Sequence, residues 1–167
     1  MNNTPRKVIA VQRQEHVRSR RTVLASVMLG ALAVAPRAQQ AQAPLTASET
    51  IAPAELAKGL GGDTGKRTVV YVGFRPLYRP GHIPGAPLQG PASERDGLED
   101  LRRWAAPLAR STAVVIYCGC CPLAQCPNVR PALRALKKMG FADVRVLDLP
   151  TNFEKDWVAQ GYAVDRQ

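Results

Sequence analysis

With 167 residues, 46% of them apolar and 22% charged, the chain has material for one folded domain and too little length for two ordinary ones. The net charge of +10 suggests a nucleic-acid partner until its distribution is counted. The first 43 residues hold seven Lys and Arg against one Glu, so the other 124 are only about +4, and nucleic-acid binding is not expected of the body of the chain.

Residues 1–43 read as an export signal. A basic start ends in SRRTVL (Ser19 to Leu24), and an uncharged run of 14 residues, Thr22 to Ala35, follows. A helix crossing a bilayer needs about 20 apolar residues, so the run is too short for a stable span. The adjacent Arg20 and Arg21 resemble a twin-arginine signal, which implies export of a folded protein to the bacterial periplasm. The expected membrane contact is through this signal alone. Ala33-Val34-Ala35 and Ala41-Gln42-Ala43 offer cleavage triplets, each followed by a proline that disfavours cutting, and the cleavage point is left open.

Residues 44–49 read as a linker and 50–167 as the domain. PAELAKGL from Pro53 predicts a short helix with proline in its first turn, closed by Gly61-Gly62. TVVYV (Thr68 to Val72) predicts a buried strand. The stretch holding Pro76, Pro80, Pro84 and Pro87 predicts loop and turn, because prolines fix φ and lack an N–H. Ser93 is placed to cap the next helix, where Leu98, Leu101, Ala105 and Leu108 recur at helical spacing and Pro107 breaks the last turn. AVVIY (Ala113 to Tyr117) is an unbroken apolar run suited to a central parallel strand. A helix over Val129 to Met139, a strand VRVLDL (Val144 to Leu149) and a short helix from Asn152 complete the order. Alternating strands and helices predict an α/β domain, a central parallel sheet with helices on both faces.

Every cysteine of the chain lies in CGCCPLAQCPN, from Cys118 to Asn128. Cys118 ends a strand whose loop leads into a helix. In a parallel sheet ligands bind at such carboxyl ends, and helix-terminal amides there favour the nucleophilic thiolate.

Four segments in order then resemble the rhodanese, or sulfurtransferase, domain over nearly all of residues 50–165. GHIPGA (Gly81 to Ala86) resembles that family's characteristic turn, and VVIYC (Val114 to Cys118) the strand presenting its active cysteine. RPALRALKKMGF (Arg130 to Phe141) is similar to the helix after the active loop, and Val144 to Val164 to the closing strand and helix. The resemblance implies a thiosulfate sulfurtransferase or sulfane-sulfur carrier without a cofactor, with Cys118 as catalytic nucleophile. Cys118 would take sulfur from a small anionic donor such as thiosulfate, as a persulfide, and pass it to a thiol acceptor or a partner protein. Arg130 and Arg75 would add positive charge toward the donor.

The chain departs from that family in three ways. The usual Asp and Arg at the end of the first strand fall on Tyr71 and Gly73. The loop after Cys118 is about five residues longer than the common cradle, and its Arg-Ser start is replaced by Asn128-Val129. Cys120, Cys121 and Cys126 are further thiols, read as resolving or alternative nucleophiles. A periplasmic location favours their pairing with Cys118. The same thiols suit a soft metal such as zinc or copper(I), but C-x-C-C-x4-C matches no closed zinc spacing, and no metal is assigned. The alternative is a non-catalytic rhodanese-fold module that binds a partner or senses redox state, its loop held by disulfides or metal. A phosphatase ranks behind both, because Tyr117 stands where a histidine would precede the cysteine. His82 is read as ordering its turn rather than as a general base.

Overall fold

The computed structural model describes residues 43–60 and 67–167. The export signal, apart from Ala43, and the Gly61-Gly62 helix stop lie outside the described residues. Among those described, no helix is long and apolar enough to cross a membrane.

Four parallel strands form one sheet: β1 (Thr50–Ile51), β2 (Thr68–Tyr71), β3 (Val114–Tyr117) and β4 (Val144–Leu147), in the order β1-β4-β3-β2. β3 is central, pairing Tyr71 with Tyr117 on one side and Val114 with Val144 on the other. All four of its residues are buried, which explains a run with no polar alternation. Its side chains divide by period two. Val114, Ile116 and, one step past the strand, Cys118 enter one core, while Val115 and Tyr117 enter the other.

The first core is closed by α3 (Arg95–Ala105), through Leu101 and Ala105, and by α4 (Val129–Lys138), through Val129, Ala132, Leu133 and Leu136. The second is closed by α1 (Pro53–Leu60), through Leu56, by Tyr78 of α2 (Arg75–Tyr78), and by Trp157 directly after α5 (Phe153–Asp156). Helices therefore cover both faces of the parallel sheet, as the alternating pattern predicts.

Three local expectations change. The proline-rich stretch after Gly73 is not all loop, because Arg75–Tyr78 form one helical turn with Pro76 near its start, where a missing N–H is harmless. Ser93 does not cap α3. Glu94 is the N-cap residue, and the Ser93 amide bonds instead to Asn128 across 35 residues. The linker ends in a 3-10 turn, Ala47–Glu49, that leads into edge strand β1. Two residues are too few to show a period, and only pairing with β4 makes them a strand.

Candidate functional site

The site begins where β3 ends. Gly119 follows Cys118 with φ +72°, and a Cβ there would lie 2.5 Å from Cβ of Phe153, so only glycine fits. The Gly119 carbonyl accepts the Phe153 amide at 3.2 Å, and the Leu123 amide reaches Leu149 O at 3.0 Å. These two ties fold the long loop back over the end of β4. A 3-10 turn, Leu123–Gln125, then delivers Cys126 beside Cys118, three residues ahead of α4.

Three sulfurs meet as a result. Sγ atoms of Cys118, Cys120 and Cys126 lie within 4.8 Å of one another, with Cys120 to Cys126 at 4.0 Å. Cys121 Sγ is 2.9 Å from that of Cys120. All four are free thiols; Cys118 and Cys126 are buried, and Cys120 and Cys121 are partly exposed. Three thiols so disposed also form a donor set that a soft ion accepts.

Charge is divided unequally among them. The adjacent Cys118 thiol holds Cys126 down to about 6, helped by the Asn128 and Val129 amides at the start of α4 and by the Cys120 thiol, against the opposing effect of burial. The neighbouring Cys126, followed by burial, pushes the Cys118 thiol far above the ordinary range. The two thiols are thus shifted in opposite directions, Cys126 toward its thiolate and Cys118 toward its neutral form. Burial and the neighbouring Cys120 thiol push Cys121 up to about 12. The convergence of helix amides expected at Cys118 is found at Cys126, because the longer loop sets that residue three positions ahead of α4, within reach of its first amides.

Asn128 completes the arrangement and was not singled out from sequence. It is wholly buried; its Nδ2 donates to Cys118 Sγ at 3.3 Å and its Oδ1 accepts the Ser93 amide at 2.9 Å. Its place in front of α4, where the family has the first residue of Arg-Ser, was the available signal. Gly73 explains the other departure. A Cβ there would lie 2.6 Å from Cys118 Sγ and 2.7 Å from the Tyr71 hydroxyl, so no arginine fits in that space. Tyr71 and Tyr117 pack edge to face at 5.1 Å, and burial keeps both phenols protonated.

Cys118, Gly119 and Cys120 open onto a cavity of about 310 Å³ walled by Tyr71, Leu77, Phe153 and Val164, with Glu154 and Arg166 also lining it. Cys126 is not among the lining residues. Arg75 is exposed at the start of α2, and Arg130 lines a separate cavity with Leu45, Pro122, Leu123 and Asp148. Neither expected arginine therefore lines the cavity that reaches Cys118, whereas Arg166 does. The chain's tail is brought there by GHIPGA, since His82 and Asp165 exchange backbone hydrogen bonds at 2.9 Å in both directions. The buried His82 ring stacks on Tyr78 at 3.9 Å and its Nδ1 is 3.2 Å from Tyr78 O, contacts that order a turn.

No protein-family model and no curated protein matches the chain. Solved structures do. A crystal structure of the Alr3790 protein from Anabaena sp. aligns with TM-score 0.52 and 24% identity, over 70% of this chain and 91% of that one. The solution structure of the rhodanese-like domain of the same protein aligns with TM-score 0.51 and 22% identity, over 71% and 80%. The BH2092 protein of Bacillus halodurans aligns with TM-score 0.56 and 20% identity, over 71% and 77%. The fold is that of a rhodanese-like domain.

Proposed function

We propose that the chain is a periplasmic sulfurtransferase or sulfane-sulfur carrier, exported by the twin-arginine route, that forms a cysteine persulfide in the 118–126 loop. The observation that carries this reading is the pairing of two cysteines with separate tasks. Cys118 opens onto the cavity, and Cys126 holds the negative charge beside it at the head of α4. With thiosulfate as donor, Cys118 Sγ attacks the outer sulfur while its proton passes to Cys126. The new S–S bond forms, the bond to the sulfonate sulfur breaks, and sulfite departs with the electron pair. Cys118 is left as an anionic persulfide, which the side-chain amide of Asn128, donating to Cys118 Sγ, favours. A thiol acceptor or partner protein then removes the outer sulfur. The family's arginine is sterically excluded at Gly73, and Arg166 supplies the positive charge for an anionic donor.

Reduced protein treated with thiosulfate under anaerobic conditions is expected to release one equivalent of sulfite, and Cys118→Ser to release none while keeping its circular dichroism. Absence of sulfite from the wild-type chain, with its mass unchanged, defeats the proposal.

A further inference from the structure

Two further thiols gathered around Cys118 are more than a carrier needs. A carrier protects its persulfide until an acceptor arrives, and a second thiol within reach works against that. The same S–S bond that stores sulfane sulfur is open to attack from inside the protein. Cys126 is held where such an attack starts, its sulfur within 4.8 Å of Cys118 Sγ at the other end of a loop tied down at Gly119 and Leu123. A disulfide requires the two sulfurs to close to about 2 Å, a movement of a few ångströms that a tethered turn can supply.

We propose that Cys126 resolves the Cys118 persulfide internally, so that the protein reduces sulfane sulfur to hydrogen sulfide and is left with a Cys118–Cys126 disulfide. This rests on the persulfide reading above. In the step, Cys126 Sγ bonds to Cys118 Sγ, the bond from Cys118 to the outer sulfur breaks, and that sulfur leaves as hydrosulfide with the proton Cys126 had received. The outer sulfur is reduced and the two cysteines are oxidised. The persulfide is the oxidant, and none is required from outside. A dithiol reductant, either a small dithiol or a redox protein with paired cysteines, then returns both thiols by exchange. Because the outer sulfur leaves as hydrosulfide, the attack is directed at the inner sulfur, and the Asn128 amide on Cys118 Sγ keeps that atom in place. Until the dithiol acts, the oxidised loop has no Cys118 thiol to take up a second sulfur.

The test is a single turnover with the full chain, reduced, freed of reductant and kept anaerobic, given one equivalent of thiosulfate. Sulfite, sulfide, intact mass and the disulfide-linked peptides are measured together. The expected result is sulfite followed by an equal amount of sulfide, a protein lighter by two hydrogens, and a Cys118–Cys126 bond. The Cys126→Ser chain is expected to release sulfide at least tenfold more slowly, and the Gly59→Ala chain, changed in α1 away from the sulfurs, to behave as wild type. Sulfite with a lasting gain of one sulfur atom and no sulfide overturns internal resolution and leaves the carrier reading standing. A bond mapped to Cys120 overturns the role of Cys126. Neither sulfite nor a change in mass overturns both. The wild-type measurement decides even if the Cys126→Ser chain fails to fold.

Discussion

Asn128 gives its side-chain amide to the sulfur of Cys118 at 3.3 Å and, with the other end of the same group, receives the backbone amide of Ser93 at 2.9 Å. Because Ser93 N–H can only donate, it sets which way the Asn128 amide faces, and hence that an N–H and not a carbonyl meets the sulfur. One buried side chain thus ties the end of β3 and the lead-in to α3 to the head of α4. Replacing Asn128 with Ala is expected to lower stability by about 1 to 3 kcal/mol, the usual consequence of leaving buried hydrogen-bonding groups without a partner. Thermal denaturation measures that loss, and sulfite release should slow in the same variant. An unchanged melting temperature and rate would remove Asn128 from the site.

The shared proton sets a pH dependence. A lowered folded pKa means that the charge on Cys126 is present above about pH 6 and lost below it. Sulfur uptake needs that charge to receive the proton of Cys118. The rate of sulfite release by reduced, metal-free protein should therefore rise with pH through about 6 and level off above it. An unperturbed thiol would produce its rise about two and a half units higher. A rise centred near 8 or above would show that neither the Cys118 thiol nor the amides at the head of α4 holds Cys126 down.

Two glycines should respond in opposite directions. At Gly73 a methyl group would sit 2.6 Å from Cys118 Sγ and 2.7 Å from the Tyr71 hydroxyl, so Gly73→Ala is expected to destabilise by about 1 to 3 kcal/mol, as overpacking does. It should also slow sulfur uptake by displacing the thiol. At Gly59, inside α1, nothing lies within 4 Å of the added carbon. Gly59→Ala should therefore stabilise by about 0.5 to 1 kcal/mol through the smaller entropy loss on folding. Denaturant midpoints of the two variants read the contrast directly.

Donor recognition separates the three arginines. Arg166 is exposed at the cavity that reaches Cys118, and an exposed charge contributes modestly, so Arg166→Ala should raise KM for thiosulfate by roughly 2- to 5-fold with little change in kcat. The effect should shrink as salt is added. Arg75→Ala and Arg130→Ala should change KM less, since neither side chain lines that cavity. Steady-state kinetics at low and high ionic strength distinguish the three.

Much of this was legible in the residues alone. The β-branched runs at Val69–Val70 and Val114–Ile116 read as buried strands because they are short, unbroken and bounded by turn residues, and Val129, Ala132, Leu133 and Leu136 as one face of a helix because they repeat at a period of 3.6. The cysteine loop between them followed as well, with Cys118 at the carboxyl end of a strand and the expected architecture around it. What residues in a row do not carry is distance. Whether Cys118 or Cys126 keeps the proton depends on which sulfur the first amides of α4 face, and that follows from a fold-back fastened at Gly119 and Leu123. Arg166 reaches the cavity only because the tail pairs with His82, and β1 is a strand only because β4 lies beside it. Local periodicity and backbone restriction act within a few residues, while charge, hydrogen bonding and pairing act between atoms that only the folded chain brings into contact.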